Sequence, residues 1–260
     1  MTGTRLLRAV GNGVALPVLL LAIWWVATAN STSFFFPPLR EILSVFDDTW
    51  LHGRLRSDVL PSVGRLSLGY SLALVLGITL GTLCGSLPRL RAFVEPVFEF
   101  LRAIPPPVLV PVLILFAGVG DQMKVLVIAT GCVWPILLNT TEGVRGIDPV
   151  LKDAAAAYRL RRTTLVRTVT LRAASPQIFA GCRQALSVGL ILMVISEMFA
   201  ATNGLGFTTV QFQRTFAIPE MWTGIILLGF VGVVLSVAFR IVERRLLSWY
   251  FGLRDSERSG

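Results

Sequence analysis

Histidine is almost absent from this 260-residue chain, with His52 the only one, and the three cysteines Cys84, Cys132 and Cys182 form no CxxC pair. Zinc and iron–sulfur chemistry need clustered ligands of these types, so the pattern argues against both, no metal ligands are expected, and the cysteines read as small packing residues. Lysine is just as scarce. Lys124 and Lys152 are the only two, and neither lies in a GxxxxGK[ST] context, so the chain has no P-loop to hold nucleotide phosphates. No HExxH or GxSxG motif and no paired intramembrane aspartates are present, which argues against an intramembrane enzyme. Charged residues make up only 15% of the chain.

Apolar sequence is abundant instead. Hydrophobic residues account for 54% and the mean hydropathy is +0.72, a composition foreign to soluble domains of this size. The charges cluster between apolar runs, the pattern of an all-α integral membrane protein of about six transmembrane helices. The runs are Val14–Ala29, Leu66–Leu87, Ala103–Val119, Met123–Thr141, Ile178–Ala201 and Met221–Ile241. Each is near the ~20 residues that cross a hydrocarbon core, the third being short. Pro105, Pro106, Pro107 and Pro111 interrupt that third run, and such backbone is tolerated at membrane depth only where it is buried in protein or lines a cavity.

The arginines set the orientation. With a cytoplasmic N-terminus, one side receives Arg5, Arg8, Arg89, Arg91, the cluster from Arg145 to Arg183, and Arg240 to Arg258. The other receives only Arg40, Arg54, Arg56, Arg65, Lys124 and Arg214. The excess of +9 therefore reports a positive-inside bias rather than nucleic acid binding, and both termini are expected in the cytoplasm. Arg5, Arg8, the apolar run and Ala27-Thr28-Ala29 also fit a cleavable signal peptide. The length of the run and Trp24-Trp25 at its outer end, placed as interfacial anchors, favour an uncleaved helix. The organisation expected is an N-terminal helix and external amphipathic segment over 1–60, with a short surface helix at Leu39–Leu51, a transport domain over 61–245, and a cytoplasmic tail over 246–260.

Between the fourth and fifth spans lies a basic stretch, residues 143–176, GVRGIDPVLKDAAAAYRLRRTTLVRTVTLRAASP. Asp148-Pro149 is a helix start: the carboxylate caps free amides, and proline at the first helical position forfeits no needed hydrogen bond. Leu151, Ala154, Ala155, Tyr158 and Leu160 give the helix a slim apolar surface, and Arg159, Arg161 and Arg162 make a basic turn. Thr163 or Thr164 is expected to cap a second short helix, Leu165–Leu171, and Ser175-Pro176 to start the fifth span. Two capped helices exceed what a loop needs merely to carry charge, so the hairpin reads as a docking surface.

This run resembles the EAA loop of type I ABC importer permeases, whose signature is Glu-Ala-Ala, three residues, glycine, a spacer, and Ile-x-Leu-Pro. Asp153-Ala154-Ala155 stands at the triplet, Arg159 at the glycine, and Val169-Thr170-Leu171-Arg172 at the closing tetrapeptide. The segment LRAIPPPVLVPVLILFAGVGDQMKVLVIATGCVWPILLNTTEGVRGIDP, with Ser196-Glu197-Met198 and Gly204-Leu205-Gly206, is similar to the subgroup that carries sulfonate, taurine, nitrate or bicarbonate. The resemblance covers roughly residues 60 to 245. It implies a coupling helix that seats in a cleft of an ATPase subunit, with Leu151, Asp153, Ala154, Ala155, Tyr158, Arg159, Leu160 and Arg162 at the contact. It also implies two ATPase subunits that hold ATP and Mg, a second permease copy or a related permease, an external solute-binding protein, and no cofactor on this chain. An arginine at the glycine position implies a different turn geometry or a compensating contact.

Candidate pathway residues follow from the cost of polar groups in a bilayer. Glu197 interrupts LILMVISEMFAA and either gates substrate or bonds to a neighbouring helix. Arg102 lies three residues after Glu99, at the spacing of a helical ion pair. Asn139 sits at the inner end of the fourth span, available to a neighbouring helix or to substrate. Gly69, Gly77, Gly81 and Gly85 mark close helix packing. A self-contained secondary transporter, with broken helices and charges at the midplane, is the competing class; it leaves the capped hairpin without a purpose.

Overall fold

A computed structural model describes residues 3–250 and 252; of the expected tail, residues 251 and 253–260, Arg254 and Arg258 among them, lie outside the described residues. These residues are all-helical, with no strand among them. Helix α1 spans Gly3–Thr28. Helix α2, Leu39–Phe46, continues through wide π-helical turns, Asp47–Val59, into α3, Leu60–Ser86. Then come α4, Pro88–Ala103; a 3-10 turn, Pro106–Leu109; α5, Val110–Ala117; α6, Asp121–Arg145; α7, Pro149–Ala157; and the single turn α8, Arg162–Thr164. The π-helical stretch Leu165–Thr170 runs into α9, Leu171–Ala200, followed by α10, Leu205–Arg214, and α11, Ile218–Leu246.

Among the described residues, four helical stretches are long and apolar enough to cross a membrane: Leu39–Ser86, Asp121–Arg145, Arg162–Phe199 and Ile218–Leu246. The expected third span, Ala103–Val119, is corrected. The chain there is a bent pair, Pro88–Ala103 and Pro106–Ala117, meeting at 86°. Proline supplies no amide hydrogen and bars helical geometry at the residue before it, so Ile104 and Pro105 take extended backbone and the helix stops. Counting the pair as one broken span gives five.

Helices α3, α6 and α9 form the packed centre. Val127, Ile128, Cys132, Ile136, Met193 and Leu205 are buried there without solvent contact. The glycine stripe of α3 sets the α3–α6 approach. A Cβ at Gly69, Gly77, Gly81 or Gly85 would lie 2.6–2.8 Å from Ile128, Ile136, Thr140 or Val144 respectively. In lipid, where apolar burial gives little drive between helices, such backbone approach is what holds them. The cysteines are free and buried, and Cys132 packs on the Ala185 carbonyl.

The stripe also fixes topology. Its partners on α6 rise in number as α3 does, so α3 and α6 run parallel. The chain from Leu87 to Gly120 must therefore return along the whole length of the pair. Helix α9 runs antiparallel to α6, with Gly143 beside Gln177 and Gly189 beside Cys132. Helix α11 runs antiparallel to α9, with Arg183 paired to Glu243 and Leu190 beside Gly232. The bundle thus has two distinct ends. One carries Pro88, the 146–161 connection and Leu246; the other carries Trp50 to Ser62, Asp121, Glu197 to Gly206, and Thr223.

Candidate functional site

At the first end, Asp148 caps α7 as its sequence requires: its carboxylate accepts from the Val150 amide at 2.8 Å, and Pro149 takes the first helical position. Ala155 is buried, while Val150, Leu151, Tyr158 and Leu160 are exposed, Tyr158 at 82%. Asp153, Ala154, Arg159 and Arg162 are exposed too.

Arg159 has φ 49°, the left-handed conformation that glycine adopts cheaply. The Arg159 amide donates to the Ala156 carbonyl at 2.9 Å and the Leu160 amide to that of Ala155 at 3.3 Å. This is the paired bonding of a Schellman turn, whose apolar contact joins the same two positions, Ala155 and Leu160. The expectation of a different turn geometry is therefore replaced. The glycine-type turn is kept, with an arginine forced into it.

Two further expectations are corrected. No separate second helix exists: Thr163 and Thr164 form no cap, and helical backbone runs from Arg162 unbroken to Ala200. Ser175-Pro176 does not start a span. Pro176 lies inside α9, and the Arg172 carbonyl that its missing amide would have bonded accepts instead from Ser175 Oγ at 2.7 Å. The true connection is shorter than residues 143–176, because α6 extends to Arg145 and helix resumes at Arg162.

Arg102 pairs with Glu99, its Nε at 2.9 Å from Oε2, and both are exposed. Asn139 serves helix contact. Its Nδ2 donates to the Pro135 carbonyl at 2.8 Å, and its Oδ1 accepts from Gln177 Nε2 of α9 at 3.0 Å. Gly181 leaves the room for it.

Glu197 is fully buried at the opposite end. Its Oε1 accepts from Ser62 Oγ at 2.6 Å and from an Arg65 terminal nitrogen at 2.7 Å, and its Oε2 accepts from the Gly206 amide at 2.9 Å. Arg65, 4% exposed, also donates to the Asn203 side chain at 2.6 Å and, through Nε, to Asp121 at 2.8 Å. Asp58 takes the Gly204 amide at 2.8 Å, and Ser62 Oγ takes that of Leu205 at 2.9 Å. Gly204 has φ 124°, and a Cβ there would sit 2.5 Å from the Glu197 carboxylate, so only glycine fits. This latch ties α3, α6 and α9 to the loop before α10. The bond to a neighbouring helix expected of Glu197 is present, through Ser62 and Arg65 of α3. Arg65, Asp58, Ser62, Asp121 and Asn203 were not singled out from sequence. The available signal was an arginine one residue ahead of a long apolar run.

Asp47, Asp48 and His52 bring one ligand atom each within 4.8 Å of one another, all exposed. Exposed carboxylates gather this way on ordinary surfaces, where water competes for any ion.

Residues 73–248 match the family described as binding-protein-dependent transport system inner membrane component. The taurine transport system permease protein TauC of Escherichia coli is 29% identical, over 94% of this chain and 91% of its own. A Bacillus subtilis permease protein named for aliphatic sulfonates transport, SsuC, is 29% identical over 92% and 87%. The bicarbonate transport system permease protein CmpB of Synechococcus elongatus is 28% identical over 95% and 94%. Among solved structures, an inward-facing MetNI methionine ABC transporter has a chain with TM-score 0.64 at 20% identity, covering 74% of this chain and 95% of that one, which is a likeness of fold. With the multi-pass apolar helices, these matches place the chain among ABC transporter permeases of the bacterial inner membrane, and it belongs to the binding-protein-dependent transport system inner membrane component family.

Proposed function

We propose that this chain is the transmembrane permease subunit of an ATP-driven importer of a small anionic solute. Helix α7 is the coupling helix and docks on an ATPase subunit that holds ATP and Mg. Two such subunits serve two permeases, either two copies of this chain or one with a related permease, and an external binding protein delivers the solute. The end bearing α7 faces the cytoplasm together with both termini; α1 is then a sixth crossing, and residues 61–245 are the transport domain.

One observation carries the reading. The short α7 is capped at its start by Asp148 and closed at its end by a strained left-handed Arg159, and it presents Val150, Leu151, Tyr158 and Leu160 to solvent. Exposed apolar side chains on a small rigid element outside the apolar bundle have no use in lipid and suit a protein groove. The names of the relatives, which cover aliphatic sulfonates, taurine and bicarbonate, support an anion as the solute. The arginines of the hairpin end support its cytoplasmic side.

The test is co-purification of the ATPase with the tagged chain, followed by ATP hydrolysis in the presence of loaded binding protein. L151D combined with Y158D is expected to release the ATPase and remove the stimulation. Retained binding with unchanged stimulation would refute the assignment of α7.

A further inference from the structure

Beside the latch, and open to the surface, is a cavity of about 570 Å³ lined by Arg65, Gly120, Asp121, Lys124, Thr202 and Asn203, among others. Lys124 is only 3% exposed. An ammonium carries three donors. Among the described residues its one partner is Asp121, at 3.5 Å, a contact too long for a good hydrogen bond. Buried ammonium groups are held by partners or lose their charge, so this lysine has donors to spare at the wall of a polar cavity.

Two more features converge there. The cavity lies at the N-terminus of the 25-residue helix α6, whose cap residue Gly120 offers no side-chain hydrogen bond. The first amides of such a helix have no partner within it and carry its positive end. Arg65 presents a second cation. One terminal nitrogen is engaged inside the latch by Glu197 and the Asn203 carbonyl, and the other donates to the Asn203 side chain; that second nitrogen and Nε form an edge that meets a single oxygen of Asp121, each at 2.8 Å. Asp121 itself is largely exposed, at 67%. One exposed carboxylate thus occupies the place where two buried cations and a helix N-terminus meet.

We propose that this cavity is an oxyanion subsite for the negatively charged head of a small solute, a sulfonate or carboxylate, and that Asp121 is a built-in stand-in for that head. The incoming anion takes the oxygen positions of Asp121. It bridges the Arg65 edge, whose fork suits two oxygens, and the free donors of Lys124. Asp121 swings into solvent, where its exposure already places much of its carboxylate. The stand-in keeps the cations compensated while the cavity is empty. The subsite's part in transport rests on the importer reading above; the binding itself does not.

The test therefore uses the permease alone in nanodiscs, without ATPase or binding protein. Sodium methanesulfonate is titrated against its neutral analogue dimethyl sulfone, with sodium chloride holding ionic strength constant, and calorimetry and thermal unfolding are read together. Methanesulfonate is expected to bind saturably and raise Tm, and the sulfone is expected to do neither. The variants carry opposite signs. K124Q should weaken binding at least about tenfold, as loss of a charge-assisted hydrogen bond implies. D121N should tighten it about fivefold by removing the competing carboxylate. A merely structural role for the pair would make both variants weaker or inert. Equal binding of the sulfone, or a D121N variant that binds no tighter, would overturn the proposal. If K124Q does not fold, D121N decides alone. Failure of ATPase docking with intact methanesulfonate binding counts against the importer reading only, and the converse counts against the subsite only.

Discussion

Replacing Glu197 with alanine tests whether the buried latch holds the end of the bundle together. The substitution removes the acceptor for three donors at 2.6, 2.7 and 2.9 Å: the Ser62 hydroxyl, the Arg65 guanidinium and the Gly206 amide. A buried neutral donor left without a partner costs about 1–3 kcal/mol, and removing one member of a buried ion pair costs about 3–5 kcal/mol. Arg65 keeps Asp121 and Asn203, so its charge stays partly compensated. Water entering the vacated space satisfies part of the rest. The expected loss is about 4 kcal/mol. Equilibrium unfolding in mixed detergent micelles measures it, with helicity as the signal. A double-mutant cycle with R65M isolates the pair, and a coupling of at least about 2 kcal/mol is expected because the second substitution removes the charge that the first leaves exposed to the interior. A loss below about 1 kcal/mol for E197A, or additive behaviour in the cycle, would refute the claim that these contacts fix α3, α9 and the loop before α10.

Two other substitutions probe the helix contact and the hairpin. G81L puts a side chain where Thr140 Cβ and the Leu137 carbonyl already lie at 2.6 and 2.7 Å, and the carbonyl cannot yield. It should destabilise the bundle by about 3 kcal/mol in the same unfolding assay, whereas G229L, at a glycine with open space around it, should cost far less. R159G relieves the left-handed strain at the end of α7 and should stabilise that turn by about 1 kcal/mol, read as an about fivefold slower exchange of the Leu160 amide; unchanged or faster exchange would mean that the arginine side chain supplies more than the backbone loses.

The elements most legible in sequence were those set by local chemistry. Asp148-Pro149 announced the start of α7 because cap and proline act within a single turn. The glycines of α3 announced a close contact because only helix packing rewards such spacing, although their partners on α6 lie far along the chain and left no local mark. What failed to read were features that depend on a distant residue. Thr163 and Ser175 carry the same capping chemistry as Asp148. In the fold, Ser175 bonds back to the Arg172 carbonyl and preserves a helix that its following proline would otherwise break. Arg65 and Lys124 looked like ordinary surface charges, and only the folding of Glu197, Asn203 and Asp121 around them makes them interior cations. Glu197 was visible as an isolated carboxylate in an oily run, because a charge there demands a partner. The sequence position of that partner, 132 residues upstream, is dictated by the parallel course of α3 and α6 beside an antiparallel α9. Periodicity within one helix cannot encode such a relation, and a pairing rule between charges inside the apolar bundle is the signal that would have found it.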